Sequence, residues 1–210
     1  MGGARIPGPA GADPAPTQGN FLPGAPSAGF DFPGPISAST EPKVGTVVVD
    51  WTPLKLTTTP AIIVRGETLA DVAADLNNNS EWGQGGGSFR IEPLENITAA
   101  EFTVHLQGNF FLLLPEWMGL EKKSATVQAE WNRMLATLRI HEQRHVDIAI
   151  EEGNRLAKRL KGKEISKIAD MVTAANAAMA VRQKALDTET EGGTRRGVKY
   201  GDIYLDVTIR

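Results

Sequence analysis

Apolar positions along the 210 residues change period part-way through the chain. Between Val44 and Leu114 they come in short runs or strict alternation: Val44–Trp51, Lys55–Thr59, Ala61–Val64, Ser88–Leu94 and Ala100–Leu114. The last carries Phe102, Val104, Leu106, Phe110, Leu112 and Leu114 at period two, which predicts a strand with one buried face. Inside this region Thr68 opens a short helix on Leu69, Val72, Ala73 and Leu76, stopped by Asn77 to Ser80. Gly83 to Gly87 lacks the lysine and the spacing of a phosphate loop and predicts a flexible loop. Beyond Pro115 the period becomes helical, first over about Ala125–Leu160 and then, past a stop at Gly162, over Ile165 to about Leu186. Val198 to Ile209 reads as a strand, with Tyr200, Ile203, Leu205, Val207 and Ile209 in imperfect alternation. Strands first and helices later predict an α+β domain, a small antiparallel sheet packed against two long helices.

Residues 1–44 belong to neither pattern. Pro, Gly, Ala and Ser dominate, with Phe21, Phe30 and Phe32 between them, a composition that builds no packed core alone. The expectation is a Pro/Gly-rich arm or linker ahead of a folded domain at 45–210. If something holds the arm, its phenylalanines and prolines would dock on neighbouring subunits.

The first long helix carries His141-Glu142-Gln143-Arg144-His145, an H-E-x-x-H pattern, in a chain with only three histidines. Scattering the same residues at random yields the pattern in roughly one such chain in 500. Residues four apart on a helix stack one turn above each other, so two imidazoles converge on one ion with a glutamate beside them. The stripe of Trp131, Met134, Leu135 and Leu138 continues into His141, His145 and Ile148, which turns both histidines toward the core. A lone core histidine is usually satisfied by hydrogen bonds; two at this spacing favour metal.

Composition narrows the chemistry further. Cysteine is absent, so an ion would be held by nitrogen and oxygen, the ligand set of catalytic rather than structural zinc. The formal charge of −3 gives no long-range bias toward nucleic acid or acidic membranes. No apolar run reaches the roughly 18 residues of a membrane span, and the start of the sequence has no secretory h-region, which leaves localisation open, with export by another route and association with a virion both compatible.

The residues in order resemble the domain-of-unknown-function 922 family over about 62–197. The matching points are Gly66-Glu67-Thr68, Leu114-Pro115-Glu116-Trp117, Trp131 and Leu138 ahead of His141-Glu142-Gln143-Arg144-His145-Val146-Asp147, and Asp187-Thr188-Glu189-Thr190-Glu191-Gly192-Gly193-Thr194-Arg195-Arg196-Gly197. The family pattern over that last run is D-x-x-T-x-H-G-x-x-Q-G, and this chain has Gly192 for its histidine and Arg196 for its glutamine. The resemblance implies a bacterial zinc-dependent protease: Zn2+ on His141 and His145, Glu142 as general base, and a protein or cell-wall peptide as substrate.

A third ligand is not fixed by the motif. Glu151 and Glu152 lie about 9 Å or more along an unbroken helix from His145, too far to share its ion. An antiparallel return from Gly162 brings either Asp187 or Glu191 alongside. Asp187 also matches a family landmark and is the first choice, Glu191 the next and His105 on the long strand the third. Asp147 or Glu152 could orient a histidine, and Arg195 and Arg196 could grip a substrate carboxylate, although solvated charge is the plain reading of all four. The rival function is a structural or interaction subunit of a larger assembly, a virion or injection apparatus, carrying a zincin-like and inactive domain. Its support is the arm and Gly192.

Overall fold

The structure, a computed structural model, describes residues 46–53, 60–92 and 101–210. The 1–44 arm and the expected strand at 55–59 lie outside the described residues. In chain order the elements are β1 (Thr46–Pro53), β2 (Pro60–Val64), α1 (Leu69–Asn77), β3 (Gln84–Ile91), β4 (Glu101–Trp117), α2 (Ala125–Leu160) and α3 (Ile165–Thr190). This is an α+β fold, and no helix among the described residues is long and apolar enough to cross a membrane.

The sheet is mixed, not antiparallel as expected. β4 is long enough at 17 residues to serve as the hub for all three partners. β1 runs parallel to its first half, with Thr46 opposite Glu101 and Pro53 opposite Gly108. β2 runs parallel to its end, with Val64 opposite Trp117. Only β3 is antiparallel to it, with Gln84 opposite Leu113 and Ile91 opposite Leu106. Alternation specifies which face of a strand is buried and says nothing of the direction of its neighbour.

The helices form where the pattern puts them. Thr68 caps α1 through a reciprocal capping box with Asp71, and Leu69, Val72, Ala73 and Leu76 are buried. Ser124 caps α2 by accepting from the Val127 N–H at 3.3 Å, and Lys158 and Arg159 lie in its last turn, where the helix dipole favours cations. One face of β4, with Val104, Leu106, Phe110 and Leu112, packs with α2 and α3 around Val146, Leu156, Val172 and Met179. The N-terminal half of α2 joins α1 in a second cluster around Trp131, Met134 and Leu138, where Trp117 and Trp131 meet edge to face at 5.6 Å.

The expected strand over 198–209 does not form; the segment is unpaired chain laid over α2. Its apolar residues are nonetheless used, since Ile203 and Leu205 are buried in the second cluster. Glu130 accepts the Asp206 N–H at 2.7 Å and also pairs with Arg133, whose guanidinium donates to the Tyr204 carbonyl.

Candidate metal centre

Two features of the sequence press β3 against α2 at the motif. A Cβ added at Gly85 would lie 2.7 Å from the carbonyl carbon of Glu142 and 3.0 Å from its Cα, so no side chain fits between strand and helix. At Gly83 a Cβ would lie 3.3 Å from the Glu142 Cγ. The glycine tract expected to be a flexible loop is therefore mostly strand, and its missing side chains are what let the helix dock.

α3 closes the site from the other side. Asn176 clamps the outward backbone of Phe89, accepting from its N–H at 3.1 Å and donating to its carbonyl at 3.3 Å. Further along α3 comes Asp187, one turn before the helix ends. Glu191 follows in left-handed backbone as the C-cap. The buried Thr190 hydroxyl donates to the Leu186 carbonyl at 2.8 Å and accepts the Gly193 N–H at 3.0 Å. This fixes the glycine turn so that Gly193, at φ +85, lies over His141, where a Cβ would be 3.2 Å from Nδ1. Tyr200, another left-handed residue at φ 68, then brings its carbonyl to His141 Nδ1 at 2.9 Å. Left-handed backbone at a tyrosine carries a cost of order 1–3 kcal/mol that the surrounding packing has to hold in place.

The result is convergence of three ligand atoms. His145 Nε2 lies 3.0 Å from an Asp187 carboxylate oxygen, His141 Nε2 lies 3.6 Å from the same oxygen, and the two Nε2 atoms are 3.3 Å apart. Both histidines are buried, while the Asp187 side chain is 49% exposed and leaves an opening to solvent. With its Nδ1–H given to Tyr200, a neutral His141 presents only a lone pair at Nε2. The His141 lone pair and the Asp187 carboxylate face each other, a gap that a shared proton or a metal ion would bridge. Ligand atoms held tetrahedrally at zinc bond lengths are about 3.3–3.6 Å apart, and the three separations bracket that spacing. His141, His145 and Asp187 thus form a group that could hold a metal ion.

Electrostatics agree with the geometry. Burial opposes protonation of His141, but the Asp187 carboxylate and the Tyr200 carbonyl outweigh it and raise its pKa above the ordinary imidazole value. Burial also opposes the charge on Asp187, yet the two imidazoles hold its carboxyl well below the usual carboxylate range. The buried Glu142 carboxyl is pushed up to about 7 by desolvation, against the pull of His141 and His145. Its ionised form is thereby destabilised, as befits a group that exchanges a proton near neutrality.

The other expected residues lie elsewhere. His105 is exposed, alternating with buried Val104 and Leu106, so β4 turns it away from the face that packs on α2. Glu191 is exposed beyond the end of α3 and is not in the metal group. Glu151 and Glu152 pair with Arg182 instead, joined by Arg144 and Arg155. Asp147 accepts from Gln143 at 3.0 Å. Arg195 donates to the Glu189 carbonyl at 3.2 Å, and Arg196 stacks on the Tyr204 ring at 4.8 Å. The partner of His141 that sequence reasoning missed is the Tyr200 carbonyl; a main-chain oxygen carries no signature in the sequence.

These elements define a class: an α+β domain whose H-E-x-x-H helix and following helix together bring two histidines and one carboxylate into a group that could hold a metal ion. The family described as "Bacterial protein of unknown function (DUF922)" matches residues 61–193, and the chain belongs to it. No curated protein and no solved structure matches the chain. The matched region ends at Gly193, so it contains all three ligand residues and Gly192. A Cβ at Gly192 would meet nothing within 4 Å, and His141, His145 and Asp187 converge without a side chain there.

Proposed function

We propose that this chain is a zinc-dependent peptidase or amide hydrolase acting on a protein or a cell-wall peptide. The observation that carries the reading is the meeting of His141, His145 and Asp187 at separations of 3.0–3.6 Å beside a buried Glu142. Two imidazoles and one carboxylate are the donor set of hydrolytic zinc sites that keep a position open. Zinc bound there supplies Lewis acidity, which polarises a carbonyl and acidifies water.

The protein's own groups do the rest. The Tyr200 carbonyl fixes the tautomer and ring plane of His141. Glu142 accepts a proton from the attacking water and returns it to the leaving amine, a transfer for which a carboxyl poised near 7 is suited. The exposed flank of Asp187 gives a peptide access, and β3 supports the catalytic turn of α2 from behind through Gly83 and Gly85. The assembly-subunit reading drew on the arm, which lies outside the described residues, and on Gly192, which the ligand group does without.

The test is a Glu142→Gln variant assayed on a generic peptide library. It should keep its zinc while hydrolysis falls by about 10²- to 10⁴-fold, the usual share of a positioned base. A variant as active as the parent would remove Glu142 from the chemistry and this function with it.

A further inference from the structure

At the far end of α2 the charge of the molecule is reversed. Between Arg155 and Lys167 the chain has six cations, Arg155, Lys158, Arg159, Lys161, Lys163 and Lys167, against Glu164 alone. That local +5 in a chain of net −3 leaves −8 for the remainder. All six are exposed. Arg155 pairs with Glu152, but among the described residues the other five form no salt bridge. They line a shallow, open surface depression at the α2–α3 turn, with Met171 at its side.

Helix stability accounts for only part of this cluster. Lys158 and Arg159 are in the last turn of α2, where the dipole favours them. Lys163 and Lys167 flank the start of α3, where the dipole favours acids and only the N-cap Glu164 is one. Five unpaired cations repel one another, and Glu164 offsets only part of that repulsion. An external anionic partner would offset the rest.

We propose that this hairpin tip binds the surface of a bilayer containing anionic phospholipid. Lysine-rich clusters of this size are attracted to phosphate headgroups as point charges, each lysine worth about a fivefold change in partitioning. Residues 155–167 contain no aromatic side chain, so the base-stacking contacts of single-stranded nucleic acid are missing, and the cations cluster at one compact end instead of following a groove. The first of the unpaired cations, Lys158, lies 13 residues beyond His145, about 20 Å along the helix, so the surface is separate from the metal group and does not rest on the proposed catalysis.

The experiment is co-sedimentation of the full chain with phosphatidylcholine vesicles with and without phosphatidylglycerol, near 0.1 M and near 1 M salt, where the screening length falls from about 10 to about 3 Å. Binding should require phosphatidylglycerol and disappear at high salt. Replacing Lys158, Lys161, Lys163 and Lys167 by Gln should weaken it by about 100-fold or more, with metal uptake unchanged and the thermal midpoint no lower than the parent's. If that variant does not fold, Lys163→Gln with Lys167→Gln, which removes two cations from the wrong end of a helix dipole, should still weaken it by about 25-fold. Equal binding with and without phosphatidylglycerol, or lysine variants that bind like the parent, would overturn the proposal. So would tighter binding to duplex DNA or RNA than to the anionic vesicles.

Discussion

Replacing Gly85 by Ala probes whether the strand positions the motif. The added methyl would lie 2.7 Å from the Glu142 carbonyl carbon, whereas an ordinary carbon–carbon contact is about 3.5–4.0 Å, so strand and helix must part by about 1 Å. Overpacking of this kind costs about 1–3 kcal/mol, and with about 2–4 °C per kcal/mol for a chain of this size the thermal midpoint should drop by about 2–12 °C. The displaced turn is the one between His141 and His145. A shift of about 1 Å there should also lower the proposed hydrolysis by roughly 100-fold, even though His141, Glu142, His145 and Asp187 are all unchanged. Gly162→Ala is the control: at φ +70 with nothing within 4 Å, it should cost only the left-handed penalty of about 1–2 kcal/mol and leave zinc uptake intact. Circular dichroism melts and zinc titration of both variants decide the matter. A Gly85→Ala protein that melts and binds zinc like the parent would refute the close approach of β3 to α2.

Asn176→Ala leaves both outward backbone groups of Phe89 without their partner and should cost about 1–3 kcal/mol in denaturant unfolding; an unchanged midpoint would show that the clamp is dispensable. Glu151 is held at about 2 by hydrogen bonds from Arg144 and Arg182, below its ordinary value of 4.5. Because the folded pKa is depressed, its contribution is present above pH 4.5 and fades as pH falls toward 2. Solvent exposure screens this pair, so the effect is modest, but Glu151→Gln should lose less stability than the parent across that window in pH-dependent melts. An identical pH slope in the two proteins would contradict the assignment.

Much of the fold was legible because periodicity reports burial. The α2 boundaries at Ala125 and Leu160 follow from a 3.6-residue stripe, and Thr68 announces α1 by its own side chain. α3 runs on past Leu186 to Thr190, since the hydroxyls of Thr188 and Thr190 bond back to carbonyls four residues earlier and hold a last turn of weak helix formers. Burial without pairing explains the error over 198–209, where Ile203 and Leu205 face the core but their backbone joins no ladder. Close approach explains the other error, since Gly85 signals a tight contact as readily as a loop. At the site, His141 and His145 were readable from helical geometry alone. Asp187 was not separable from Glu191 by spacing, because the choice depends on where α3 ends. Glu191 falls in the left-handed cap and points away from the pair, whereas Asp187 is still on the helical face that meets α2.

The central claim is that His141, His145 and Asp187 hold one ion, and the most direct measurement is zinc stoichiometry and affinity by chelator competition on the parent and on His141→Ala, His145→Ala and Asp187→Ala. The account predicts one zinc per chain in the parent, with each substitution weakening binding by at least the 10- to 100-fold typical of losing a mere ligand partner. Absorption spectra at the zinc edge should show nitrogen and oxygen ligands at about 2.0–2.2 Å and no sulfur. A parent that takes up no zinc, or an Asp187→Ala protein that titrates like it, would contradict the account.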